Sequence, residues 1–220
     1  MQILALSKPF WHRQVRNPVG VLALLGVPLL ISAIWVLAGG PPDRFTALML
    51  LGWTLGGLLP AALNTRRDDA VELRWRTLPV GAAERWVGAF LAMLPLPLVT
   101  SLLLVMVDLL VGPGAQRSPH LFTLAAMVAA VMVAGGLAIG SWSRSPWQVA
   151  GGLGVALVLC AWALLPGASG WPMEVIPTGQ AKLGLLALAK DPTAVLMSLL
   201  KLGLIGTVLA VVGIAGTGRR

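Results

Sequence analysis

Apolar runs alternate with short polar stretches along this chain, and most of the runs have the length of a membrane crossing. At ~1.5 Å per residue and a ~30 Å hydrocarbon core, residues 19–38, 45–63, 86–111, 121–142 and 194–215 each suffice to span as a helix, and 149–165 barely does. Pro28 predicts a mild kink in the first span, and Pro95 with Pro97 predict a bend in the third. The segment 166–192 has an apolar middle, 180–190, that is too short to cross. A re-entrant or interfacial half-helix between spans five and six fits it. Ahead of the first span, a helix capped by Ser7 with Pro9 in its first turn places Phe10, Trp11 and Val15 on one side and most basic groups on the other. This predicts an N-terminal interfacial helix. The pattern therefore predicts an all-α membrane protein of six transmembrane helices, forming one domain over residues 1–220.

The most polar stretch, 64–85, lies between the second and third spans and holds five Arg beside Asp68, Asp69, Glu72 and Glu84. An Arg or Asp at mid-bilayer costs about 2.5–3.5 kcal/mol, so this stretch lies outside the membrane. Asp69 and Glu72 have the D-x-x-E spacing of a helix start. Val71, Trp75 and Leu78 then share one face, while Glu72 and Arg76 form a favourable i,i+4 pair. Pro79 suits the first turn of a second short helix over residues 80–85. Two short amphipathic pieces around a proline serve either as a charged connector that orients the chain or as a docking surface for a partner.

Composition supports the membrane reading. Hydrophobic residues make up 57% of the chain and charged residues 11%, against a soluble average of about 25% charged. A net charge of +8 suggests nucleic acid in a soluble protein, but here the basic groups cluster at the ends of apolar runs and read as topology. Six alternating crossings put Lys8, Arg13, Arg16, Arg66, Arg67, Arg74, Arg76, Arg85, Arg144, Arg219 and Arg220 on one side, and Arg44, Arg117, Lys182 and Lys190 on the other. The bias makes the first side cytoplasmic, with both termini on it. No small-residue cleavage site follows the first apolar run, so that run is expected to stay as a span.

Candidate chemistry is sparse. Cys160 is the single cysteine, and His12 and His120 are isolated and read as interfacial, so neither a disulfide nor a metal site is expected. Gly151, Gly152 and Gly154 resemble a phosphate-binding string but lack the Lys-Ser or Lys-Thr and the strand that a phosphate loop needs. Without a nucleophile-base set or paired carboxylates in any span, the chain is not expected to be an enzyme. Asp108 reads as a boundary residue and Lys201 as a side chain snorkelling toward the outer face, which argues against ion-coupled transport. Gly52 and Gly56, in G-x-x-x-G spacing, and Gly136 and Gly140 are candidate helix-packing positions. They motivate an expected homodimer or a heterodimer with a related chain.

The segment Glu72-Leu73-Arg74-Trp75-Arg76-Thr77-Leu78-Pro79-Val80, followed by the span from Trp86, resembles the first cytoplasmic loop of type-2 ABC transporter permeases. In that family a Glu, a Thr-Leu and a Pro precede a short coupling helix and the third of six spans. The interfacial N-terminal helix, the broken outer segment and the Ile176-Pro177-Thr178-Gly179 stretch extend the likeness, and in length the chain is similar to the small haem-export permeases. The family usually has a Lys near the start of the third span, and here Arg85 occupies that neighbourhood. The resemblance implies a permease subunit of an exporter in a bacterial inner membrane, paired with a second permease chain. It also implies coupling through Asp69, Glu72, Trp75, Arg76, Thr77, Leu78, Pro79, Glu84 and Arg85 to a separate ATP-binding subunit. ATP and Mg would belong to that subunit, with no cofactor on this chain. A membrane scaffold or assembly factor using the same loop is the alternative.

Overall fold

The computed structural model describes residues 42–64, 80–111, 119–165, 167–188 and 194–218, together with Ser7, Trp11, His12, Gly26, Leu30 and Ile34. The elements are α1 (Pro42–Asn64), α2 (Ala82–Met93), α3 (Pro95–Val111), α4 (Pro119–Trp142), α5 (Pro146–Leu164), α6 (Trp171–Val175), α7 (Pro177–Leu188) and α8 (Ala194–Gly218). No strand occurs among the described residues. Four helices, Ala82–Val107, His120–Trp142, Pro146–Leu164 and Val195–Gly218, are long and apolar enough to cross a membrane, and a shorter apolar helix covers Leu50–Leu63. This architecture is compatible with a multi-pass membrane protein. The six separate positions are each helical, and the N-terminal interfacial helix and the first span otherwise lie outside the described residues.

Local chemistry explains where the helices start and break. Ser145 caps α5 by accepting from the Gln148 N–H at 3.3 Å, Gln148 Oε1 accepts from the Arg144 N–H at 2.6 Å, and Pro146 occupies the first turn. At α2 the Gly81 N–H donates to Glu84 Oε2 at 3.0 Å, which closes the first turn back on itself. The separate short helix expected over 80–85 is therefore the start of α2: Val80 and Gly81 stand outside the helix, and it runs on from Ala82. Between α2 and α3 the expected interruption falls at Leu94. Pro95 and Pro97 remove two backbone donors there, yet Leu94 keeps helical angles, donates to the Phe90 carbonyl at 3.0 Å and accepts from Leu98 at 3.1 Å.

Helix α4 is the centre, packed against α1, α2, α3, α5, α7 and α8. Residues 131–138 are buried on every side, as expected of a helix that is apolar all round. Of the most apolar window in α4, 67% is buried, against 17% in α8 and 22% in α5. The crossing of α4 with α1 is close enough that small residues are obligatory. A β-carbon on Gly57 would lie 2.7 Å from the Met132 β-carbon, and one on Gly136 would strike the Leu58 carbonyl and lie 2.7 Å from the Ala61 β-carbon. Such approach gives van der Waals contact where lipid supplies no hydrophobic drive for helices to associate.

These pairings fix relative directions. Gly57 meets Ala129–Val133 while Gly136 meets Leu58–Ala62, so α1 and α4 run parallel. Gly203, Gly206 and Gly216 of α8 face Met127, Val131 and Trp142 in turn, so α8 is parallel to α4 as well. Ala82 faces Gly218 and Trp86 faces Gly213, which sets α2 antiparallel to α8. The short helices α6 and α7 sit near the end of α5 and the beginning of α8, leaving the bundle with a Trp142 end and a Glu174 end.

Candidate functional sites at the two ends of the bundle

At the Trp142 end, α1 finishes, α2 begins, and the Ser143–Ser145 turn joins α4 to α5. Two indoles close this end. Trp142 Nε1 donates to the Val212 carbonyl at 2.8 Å, and its ring covers Gly216, where an added β-carbon would lie 2.6 Å from it. Trp86 is buried, stacks on Phe90 with centroids 5.3 Å apart, and turns Nε1 onto Gly213. Glycines three residues apart on α8 thus form notches for side chains from α4 and α2. Beside them, Arg85 Nε and Trp86 Nε1 are buried without an acceptor. Arg144 is exposed on the neighbouring turn, and Trp147, the second residue of α5, is 86% exposed.

At the Glu174 end, polar side chains bind carbonyls and one another. Lys182 of α7 donates to the last carbonyls of α5, Leu165 at 2.9 Å and Ala163 at 3.3 Å, which serves groups that have no intrahelical partner. Thr178, fully buried, donates to the Cys160 carbonyl at 3.1 Å, and Gln180 donates from Nε2 to the Glu174 carbonyl at 2.9 Å. Lys201 of α8 forms an ion pair with Glu174 of α6 at 2.8 Å. The hydrogen bond and charge of Lys201 hold the Glu174 carboxyl below its ordinary value. The snorkelling expected of Lys201 accordingly ends on a carboxylate.

Of the sequence-derived coupling residues, Glu84 and Arg85 sit together in the first turn of α2. Asp69, Glu72, Trp75, Arg76, Thr77, Leu78 and Pro79 lie outside the described residues, as does the side chain of Asp108. Of the packing glycines, Gly136 makes the close α1 crossing, with Gly57 as its counterpart. Gly56 meets only Thr100, at an ordinary 3.9 Å, and Gly52 and Gly140 are buried.

Sequence reasoning missed the Glu174–Lys201 pair. The available signal was Lys201 itself, a cation two turns inside an apolar helix, where ionisable groups pair with one another. Two acids occur in the preceding segment, Glu174 and Asp191, and sequence spacing does not choose between them.

Among the described residues, no three His, Cys, Asp or Glu side chains gather as a metal site. Among the described residues, the polar groups at both ends tie helices together through carbonyls, caps and the Glu174–Lys201 ion pair. No protein-family model matches the chain, and a search of curated proteins finds none that matches it.

Proposed function

We propose that this chain is the membrane-spanning permease subunit of an ATP-driven transporter of the type-2 ABC class. In this reading it is an exporter in a bacterial cytoplasmic membrane, with six spans, a re-entrant segment over α6–α7 and both termini cytoplasmic. The single observation carrying it is the resemblance of Glu72–Val80 to that family's coupling loop. The packing of the helices on either side supports it. The segment 65–79 joins the end of α1 to the start of α2, and these helices are locked by glycine contacts to α4 and by Trp86 to α8.

A partner pressing on 65–85 would therefore load α1 and α2 together, and through Trp86 and Gly213 the load would pass to α8. The partner is a separate ATP-binding subunit that holds ATP and Mg, and a second permease chain completes the path. Closure of the nucleotide subunits would tilt the spans and open a route between protomers.

The test is reconstitution with the ATP-binding subunit that copurifies with this chain, scoring complex formation and ATP-dependent transport separately. Docking energy at protein interfaces concentrates in buried aromatic anchors, so Trp75→Ala is expected to cost about 1–3 kcal/mol of binding. Glu72→Ala is expected to reduce coupling by loosening the first short helix. If both variants bind and transport like the parent, the loop is a charged connector and the scaffold reading takes over.

A further inference from the structure

The cap formed by α6 and α7 is held by two sets of contacts that differ in chemistry. Helix α7 buries Thr178, Gly179, Gln180, Ala181, Gly184, Leu185 and Leu188. Neutral hydroxyl and cationic donors also fasten it to α5, through Thr178 on the Cys160 carbonyl and Lys182 on the Ala163 and Leu165 carbonyls. Helix α6 is five residues long and buries only Met173, whose backbone packs on Gly179 of α7, with the buried Ile176 just past its end. Trp171 and Val175 are exposed, at 76% and 57%. The backbone leaves the helical region on both sides of α6: Gly170 has φ +89° and ψ −174°, open to glycine alone, and Ile176 is extended. Two hinge points thus bound a short rigid piece, and its side-chain tie to α8 is the Glu174–Lys201 pair, whose partners are 59% and 39% exposed.

We propose that Glu174 and Lys201 form a releasable clasp, so that α6 swings away from α8 about Gly170 and Ile176 while α7 stays fixed on α5. Few buried side chains and non-helical junctions give an element a low opening free energy, whereas α7 buries seven of its twelve residues and opens at higher cost. Release has a defined consequence: the Gln180 amide loses the Glu174 carbonyl it donates to, and the Lys201 ammonium loses its carboxylate. Movement of α6 therefore bares two donors that are satisfied when it is closed. The inference stands on the cap's geometry and does not depend on the transport reading.

The test uses the purified full-length chain in mild detergent at fixed pH, with a water-soluble maleimide. Met173→Cys reports from beneath α6 and Leu185→Cys from beneath α7, and labelling of the parent's Cys160 is subtracted. Exposed ion pairs are weak, so Glu174→Gln or Lys201→Gln is expected to speed labelling at position 173 about two- to fivefold while position 185 is unchanged. The exchange Glu174→Lys with Lys201→Glu is expected to restore the slow rate. Added salt should speed labelling at 173 in the wild-type pair and have no further effect in Glu174→Gln, because screening acts on an exposed pair that is present. Unchanged labelling at 173 in the single variants overturns the proposal. Equal acceleration at 173 and 185 also overturns it, since α6 and α7 then open as one body.

Discussion

The Trp142 end of the bundle is closed by shape, whereas the Glu174 end adds several polar ties to its apolar packing and to the Gly179 contact with the Met173 backbone. At the first, indoles from α2 and α4 fill notches that Gly213 and Gly216 leave in α8, with one indole hydrogen bond to the Val212 carbonyl. At the second, Lys182, Thr178, Gln180 and the Glu174–Lys201 pair hold two short helices onto the ends of long ones. A glycine notch admits one arrangement of its helices, because a misplaced ring meets backbone. An exposed ion pair forms and breaks with little change in free energy. The contrast therefore separates an end held by close steric fit from an end held in part by an exposed ion pair.

The largest effect is expected in the dry crossing that supports both ends. Gly136→Val forces a side chain into the Leu58 carbonyl and the Ala61 β-carbon, and overpacking of this kind costs about 3 kcal/mol. Thermal or denaturant unfolding in detergent measures it, and a neutral result would mean that α1 does not cross α4 at this glycine.

At the Trp142 end, Trp142→Phe retains a ring in the Gly216 notch and deletes the bond to Val212. A loss of about 1 kcal/mol is expected in the same measurement. Lys182→Met is expected to cost about as much or less, since solvent reaches part of that site and replaces the lost donor. Should Lys182→Met destabilise the fold far more than Trp142→Phe, the shape-closed end would no longer be the firmer one.

The smallest effect concerns pH. The Lys201 hydrogen bond lowers the folded-state value of Glu174, so the pair contributes stability above the unfolded carboxylate value and loses it as pH falls through the folded one. Lys201 of α8 faces Glu174, Lys182 of α7 is engaged with α5, and no other charged group on α6, α7 or α8 is present among the described residues. Wild type should melt slightly above Glu174→Gln at neutral pH, with the difference closing on acidification. A difference that widens in acid would mean that the carboxylate is not what Lys201 holds.

Apolar run length made the helices at 86–111, 121–142, 149–165 and 194–215 legible, because run length and helical rise determine what crosses a bilayer irrespective of neighbours. The proline signal at 95 and 97 was equally local, since a missing donor acts within one turn. Helix starts were less legible. Pro79 suggested a separate short helix, but Gly81 and Glu84 close a turn that continues into α2.

What the sequence by itself determined is the class of the chain, a set of apolar helices joined by an Arg-rich stretch, because hydrophobicity and charge act one residue at a time. Which glycine meets which helix was decided only by tertiary structure. Gly57 and Gly56 are neighbours in sequence yet face α4 and Thr100 respectively, since a helix turns ~100° per residue. The choice of Glu174 as the partner of Lys201 was decided in the same way, by the fold of α6 back onto α8 across 27 positions of chain.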